Sequence, residues 1–350
     1  MDNSKNPYCN LRVEFHILQS FPVTCLNRDD VGAPKTAQVG GTTRARVSSQ
    51  CWKRQVRLQM HDLGIVTAVR TKHVKEMIQE GCAKLGASKE KSDECTQAIA
   101  DSLTEDTLHF FTPSEAKALA TYAESIGYES KKVDIKTVAK IHKDAFTPAL
   151  DGLDIALFGR MVAKAPDLNV EAAASFSHAI STHKVTNEVE FFTALDDLPH
   201  EPGSSHMGSL EFNSATYYRY VCLDMGQLIQ TLGDDNYFDE AIAAFMKALY
   251  LAIPSARQAT QSGASAWDFA RVFVRKGQRL QVPFETAVRA KDGGFLRPSI
   301  AELNEYLEKK EKISGSLFGK ISSWEFGDDE NLTIDALISA IQKAVKAGKA

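Results

Sequence analysis

Four stretches of this 350-residue chain carry the period-two face pattern of strands, and their order limits the fold more than any other feature. Residues 11–18 place Leu11, Val13, Phe15 and Ile17 on one face and Arg12, Glu14 and His16 on the other, which predicts a half-buried strand. At 185–195 Val189, Phe191 and Thr193 share a face. At 211–224 Phe212, Thr216, Tyr218, Tyr220 and Cys222 oppose Tyr217, Arg219, Val221 and Leu223, and a fourth strand is expected at 267–275. Helical spacing intervenes twice. Trp52, Val56, Met60 and Leu63 predict a helix over 49–63 stopped by Gly64, and a second helix covers 237–252 before Pro254. The order strand, helix, strand, strand, helix, strand is that of a ferredoxin-like, RRM-like (βαββαβ) α+β domain.

The stretch 65–182 interrupts this order with helical patterning. Segments near 72–85, 92–103, 114–126, 133–144 and 169–181 read as helices, with Pro113 at a first turn and Gly127 past an end, and no strand pair is expected among them. Between the second and third strands lies LPHEPGSSHMGS, whose Pro, Gly and Ser predict a long hairpin with a protruding tip at 196–212. The expected organisation is therefore a first domain part at 1–64, a helical insertion at 65–182, a strand at 183–195, the hairpin tip, and the domain's remainder at 213–350 with helices at 298–311 and 333–346.

The chemistry concentrates in residues 25–57, which hold seven fixed cations: Arg28, Lys35, Arg44, Arg46, Lys53, Arg54 and Arg57. The segment 19–43, with Pro22, Gly32, Pro34, Gly40 and Gly41, reads as a long loop. In an extended segment Arg44 and Arg46 leave the same face. Ser48 and Ser49 offer a cap to the helix that follows, on which Arg57 neighbours both Lys53 and Arg54. A glycine loop, two same-face arginines and a helix N-terminus with unpaired N–H groups together suit an anion, and repeated anions along a strand fit better than one small phosphate. The alternative is an amphipathic helix whose basic face is only solvated. A second basic feature, Lys132, Lys136, Lys140 and Lys143, forms one expected stripe on the helix near 133–144; such a stripe is commonly no more than a wet helix face.

Net charge is −4, which argues against a protein that coats nucleic acid with its whole surface but leaves room for a local basic groove. No apolar run is long enough for a membrane span, and the first residues lack a signal-peptide pattern, so a cytoplasmic protein is expected. Six scattered cysteines without a C-x-x-C pair predict reduced thiols, and the nine histidines read as structural, so neither a metal nor another cofactor is expected. No phosphate-binding glycine motif, nucleophile elbow or RNA-recognition aromatic signature occurs, so gripping of a backbone is favoured over nucleotide hydrolysis or base stacking on the sheet.

The same residues carry a resemblance. S-x-x-x-x-x-L-N-R-D-D followed by G-G-x-x-R-x-R-x-S-S-Q-x-x-K-R resembles the CasC (Cse-type) family, the backbone subunit of the type I-E CRISPR Cascade complex. D-I-A-L-F-G-R-M at 154–161, H-A-I-S-T-H at 178–183, F-T-A-L-D-D-L at 192–198, S-S-H-M-G-S-L-E-F at 204–212 and A-K-D-G-G-F-L-R-P-S-I at 290–300 extend it in family order. The resemblance implies a palm with inserted helical fingers and a β-hairpin thumb, copies of the chain assembled head to tail along a crRNA, and no catalytic role. It further implies CasA, CasB, CasD and CasE as partners and target DNA engaged through guide pairing. Its RNA-contacting positions map to Arg28, Lys35, Lys53, Arg54 and Arg57, with Ser48, Ser49 and Gln50 at the helix start. Asn27, Arg44, Arg46, His206 and Arg257 complete the candidate set, and Met161, Met207 and Leu210 are candidates to cap a kinked base, a role weighed against plain core filling. Lys132, Lys136, Lys140 and Lys143 would face DNA. Thr42 departs from relatives that carry a basic residue there, so no contact is assigned to it.

Two other classes stay open at this stage. Asp29 and Asp30 beside Arg28 could serve a metal-dependent ribonuclease of the type III backbone kind, although adjacent aspartates in such a loop are commonly turn-formers. A general single-stranded nucleic-acid-binding scaffold is the other.

Overall fold

Leu11–Thr24 forms one continuous strand in the interior of the main sheet, six residues longer than the pattern alone predicts. In this computed structural model residues 6–104, 108–162, 164–195, 204–233 and 235–349 are described. The strands are β1 (Leu11–Thr24), β2 (Thr36–Val39), β3 (Thr42–Val47), β4 (Val69–Thr71), β5 (His109–Phe111), β6 (Ala174–Phe176), β7 (Ala179–Ser181), β8 (Glu188–Leu195), β9 (Ser204–Asp224), β10 (Phe269–Lys276) and β11 (Lys320–Phe326). The helices are α1 (Ser49–Asp62), α2 (Val74–Lys84), α3 (Lys89–Leu103), α4 (Pro113–Ser125), α5 (Ile135–Ala145), α6 (Pro148–Asp151), α7 (Leu153–Phe158), α8 (Met225–Leu232), α9 (Phe238–Leu251), α10 (Gln258–Gln261), α11 (Leu296–Ser314) and α12 (Ile334–Ala347). Two compact units result. One takes the chain up to Cys9, Met60–Ser175 and Asp224–Phe245; the other takes Asn10–Gln59, Phe176–Leu223 and Met246–Ala350.

The second unit is built on the sheet, ordered β11-β10-β1-β9-β7-β3-β2, with β8 and β6 also pairing β9. β1 and β10 pair antiparallel from Leu11↔Lys276 to Leu18↔Phe269. The polar face expected for β1 is itself buried, because apolar layers cover both sides of the sheet. Leu303 and Leu307 of α11 join Tyr218, Tyr220 and Phe273 on one side, while Trp52 of α1 joins Tyr217 on the other. Glu14 is 1 % exposed and holds Arg275 at 2.5 Å and the Tyr220 hydroxyl at 2.6 Å. His16 lies 2.9 Å from the Tyr218 hydroxyl, and burial lowers its pKa to about 3.

Three expectations are corrected here. The loop 19–43 contains the end of β1 and most of a β2–β3 hairpin, paired from Thr36↔Ala45 to Val39↔Thr42. The helix at 169–181 is absent: β7 pairs Ile180 with both Arg46 and Tyr218, and cross-strand pairing overrides the helical propensity of Ala172–Ala174. Residues 204–212 are strand, in register with β8 from Ser204↔Leu195 to Phe212↔Glu188, so the tip of the hairpin falls within 196–203, outside the described residues. β11 had no sequence counterpart.

The helical unit packs Val74, Ile78, Cys95, Ile99, Leu119, Ala123 and Val138 into one core. α2 and α4 approach so closely that a Cβ at Gly81 would lie 2.7 Å from the Ala120 Cβ. α4 opens with a capping box, Thr112 Oγ1 accepting from the Glu115 N–H and Glu115 Oε2 from the Thr112 N–H, and Pro113 in the first turn. β4 and β5 form a short antiparallel pair where no strands were expected, and α7 and α8 are further additions. No helix among the described residues is long and apolar enough to cross a membrane.

Candidate nucleic-acid interface

The start of α1 organises the basic region. Ser48 caps the helix by accepting from the Cys51 N–H at 3.2 Å, and the Ser48 N–H donates to Asn27 Oδ1 at 3.0 Å. The Ser49 N–H donates to His178 Nδ1 at 3.2 Å. The helix N-terminus is thus partly satisfied by the chain itself, which corrects the expectation of a bare one, and Asn27 acts here as a brace. Ser49 is half-buried and Gln50 exposed, with the Ser49 hydroxyl 3.4 Å from Gln50 Oε1.

Arg44 and Arg46 share a strand face but not an environment. Arg44 is fully buried, and its five N–H donors meet five acceptors. Nε donates to Thr42 Oγ1 at 2.9 Å, Nη1 to the Ser181 and Thr182 carbonyls at 2.9 Å each, and Nη2 to the Phe284 and Glu285 carbonyls at 3.1 Å each. It is an internal tie between β3, the end of β7 and the 284–285 segment, and it leaves the candidate binding set. The turn beside it fits the same segment tightly: Gly40 has φ +56°, and a Cβ there would meet the Glu285 carbonyl oxygen at 1.9 Å. Arg46 stays half-buried at the surface, Nε donating to the Thr36 carbonyl at 3.1 Å.

The other cations stay at the surface. Arg28 and Arg54 are exposed; Lys35, Lys53 and Arg57 are half-buried. Lys53 Nζ stands 5.9 Å from the centre of the Phe176 ring, and desolvation lowers its pKa. A cleft of about 460 Å³ is lined by Asn27, Arg28, Asp29, Asp30, Gly32 and Ala256. Arg257, in the left-handed region at φ +57°, points at this loop, its Nη2 4.0 Å from where a Gly32 Cβ would lie. Burial pushes the Cys25 thiol up, opposed by the nearby Arg257 and Arg28 charges. Asp29 is a turn-former: its Oδ1 accepts from the Val31 N–H at 3.0 Å and the Ala33 N–H at 2.9 Å.

Sequence reasoning missed His178, whose distant pairing partner gives no local signal, and Phe191. The latter is 82 % exposed on the β8 face shared with Val189 and with Met207, itself 71 % exposed. On the opposite face the Phe192 ring covers its cross-strand partner Gly208, where a Cβ would lie 2.6 Å from Cζ. Leu210 is half-buried, and the His206 side chain lies outside the described residues.

In the helical unit Met161 is 80 % exposed and directly follows an anchored residue. Arg160 is buried, donates Nη1 to Glu115 Oε1 at 2.6 Å, and its backbone bridges Val170. His142 and His109 complete this buried cluster; desolvation lowers their pKa values to about 2 and about 4, so both are neutral. Lys136, Lys140 and Lys143 are exposed on α5. Lys132 is exposed as well but lies off α5, in a separate 3₁₀ turn at Ser130–Lys132 where its Nζ pairs with Glu129 at 2.7 Å, which shortens the expected stripe to three lysines.

Comparison with known proteins adds family and fold. No curated protein matches the chain. It is similar to a chain in a solved structure described as "CRISPR RNA-guided surveillance complex, pre-nicking", at 28 % identity and a TM-score of 0.84, covering 96 % of this chain and 100 % of that one. A chain of a second "CRISPR RNA-guided surveillance complex" shares the fold at a TM-score of 0.73 and 24 % identity, over 96 % and 99 % of the two chains. The model of one family, described as CT1975-like protein, matches residues 13–340, so the chain belongs to the CT1975-like family.

Proposed function

We propose that this chain is a non-enzymatic, crRNA-binding backbone subunit of a Cascade-type surveillance complex, of the CasC kind found in type I-E systems. The observation that carries the reading is the basic face of β3 and α1, within a fold that matches, end to end, a chain of a CRISPR RNA-guided complex. Arg28, Lys35, Arg46, Lys53, Arg54, Arg57 and Arg257 would neutralise successive phosphates, while capped and buried polar groups beneath hold them in place. The strand order β10-β1-β9, with β8 on the far side of β9, supports a ferredoxin-like palm. The β8–β9 hairpin would be the thumb and the helical unit the fingers. Copies would then assemble head to tail along the guide, an interface type that extends instead of closing. Guide–target pairing would read the DNA sequence, with CasA, CasB, CasD and CasE as the other subunits.

Asp29 supports the non-catalytic part of this reading, since one of its carboxylate oxygens already closes the loop turn. The test is co-purification. Expressed with partner subunits and a CRISPR array, the chain should carry discrete crRNA in a multi-copy particle, with bound target RNA intact after Mg²⁺ addition. A nucleic-acid-free monomer would reject the scaffold. Mg²⁺-dependent cuts abolished by Asp30→Ala would establish the ribonuclease instead.

A further inference from the structure

His178 lies on the basic face without having been counted among its cations. The register of β7 on β3 puts it there: Arg46 pairs with Ile180 and Val47 with Ala179, so the next step along both strands brings His178 beside Ser48 and the start of α1. Its Nδ1 accepts the Ser49 N–H at 3.2 Å. A neutral imidazole has one donor and one acceptor nitrogen, so this bond assigns the proton to Nε2. Desolvation and the neighbouring Arg46 and Lys35 charges lower the ring's pKa, which keeps it neutral at pH 7. The ring is exposed, and its Nε2–H has no partner among the described residues. The result is an oriented, uncharged donor between two cations.

We propose that His178 is a further contact of this face, donating its Nε2–H to a backbone oxygen of the bound strand, either a phosphate or a 2′-hydroxyl oxygen. The proposal rests on the RNA-binding reading above. It differs from the role of Lys35 and Arg46 in one measurable respect. A neutral donor releases no counterion, so its loss weakens binding without changing the salt dependence.

Two substitutions separate this contact from the bond to Ser49. His178→Asn keeps an acceptor oxygen near the place of Nδ1 and removes the Nε2 donor; His178→Gln keeps a donor near Nε2 and removes the acceptor. Binding of the full chain to a fluorescent single-stranded RNA oligonucleotide and to its all-2′-deoxy counterpart would be titrated across salt concentrations. We expect His178→Asn to bind RNA about three- to tenfold more weakly with an unchanged salt slope, the size of one lost hydrogen bond, and His178→Gln to recover most of it. An equal loss on both oligonucleotides identifies a phosphate oxygen, and a loss confined to RNA identifies the 2′-hydroxyl. Wild-type binding by His178→Asn with weak binding by His178→Gln would overturn the proposal, since only the Ser49 bond would then matter. Unchanged binding by both, while Lys53→Ala with Arg54→Ala weakens it, would overturn the proposal and leave the RNA-binding reading standing. If the unaltered chain binds no RNA, that reading falls, and the proposal with it.

Discussion

The molecule carries two basic surfaces that look alike as sequence and differ in construction. The row on α5 is three exposed lysines, each free to rotate on a four-carbon stem above a helix anchored by Val138. The face of β3 and α1 is assembled from four separated chain segments: Asn27 holds the Ser48 N–H, His178 holds the Ser49 N–H, Arg257 leans on the 25–32 loop, and buried Arg44 ties the strand to carbonyls far along the chain. Equal charge therefore does not mean equal construction. On the proposed reading, phosphates spaced along a strand would be met by cations whose positions are held, and holding them takes polar groups beneath the face, such as buried Arg44, that present no donor of their own to a ligand.

The largest effect should come from breaking a buried ionic tie. Arg160→Met leaves Glu115 buried without its cation, and Glu115→Gln leaves Arg160 in the same position; either should cost about 3–5 kcal/mol in denaturant unfolding. Arg44→Met strands three buried carbonyls and the part-buried one of Glu285, and a loss of about 3 kcal/mol is expected with RNA binding weakened only in proportion to unfolding. A stable Arg44→Met chain would mean that the basic face does not depend on the tie, and the contrast with α5 would lose its basis.

Acid should affect the helical unit most. His142, His109 and His16 are held neutral by burial, at about 2, about 4 and about 3. The folded state refuses protons that the unfolded state accepts below about pH 6.5, so this stability is complete above that value and falls as pH drops, by about 2 kcal/mol per histidine at pH 5. Two of the three lie in the helical unit, and amide exchange should show it opening first. His142→Phe, which can stack on Phe111 in the same way, should flatten the dependence.

Smaller, but closest to function, is the salt test. Lys53→Ala with Arg54→Ala should weaken RNA binding across all sequences and reduce the single-strand salt slope by about 1.4, the release expected for two lost phosphate contacts. Lys140→Ala with Lys143→Ala should leave RNA binding unchanged. An equal loss from the α5 pair would erase the distinction drawn here.

Much of the fold was legible because its signals are local. The strand at 11–18, the Ser48 cap, Pro113 in the first turn of α4 and the positive φ of Gly127 all follow from side-chain periodicity and backbone sterics. The failures share a cause. Residues 169–181 read as helix because alanines favour it, yet Ile180 finds Tyr218 and Arg46 as strand neighbours. Lys132 read as part of a stripe because spacing ignores where a helix begins.

Composition and order alone determined that this chain combines strands with a long helical stretch and carries a concentrated run of cations after its first strand, because periodicity and charge are properties of neighbours. Which cations face outward was decided by tertiary structure. Arg44 and Arg46 are equivalent by every local rule, but carbonyls from Ser181, Thr182, Phe284 and Glu285 converge on the first and none of them on the second. An arginine surrounded by carbonyls that have lost their water is more stable inside than out, and only the folded chain brings those carbonyls together.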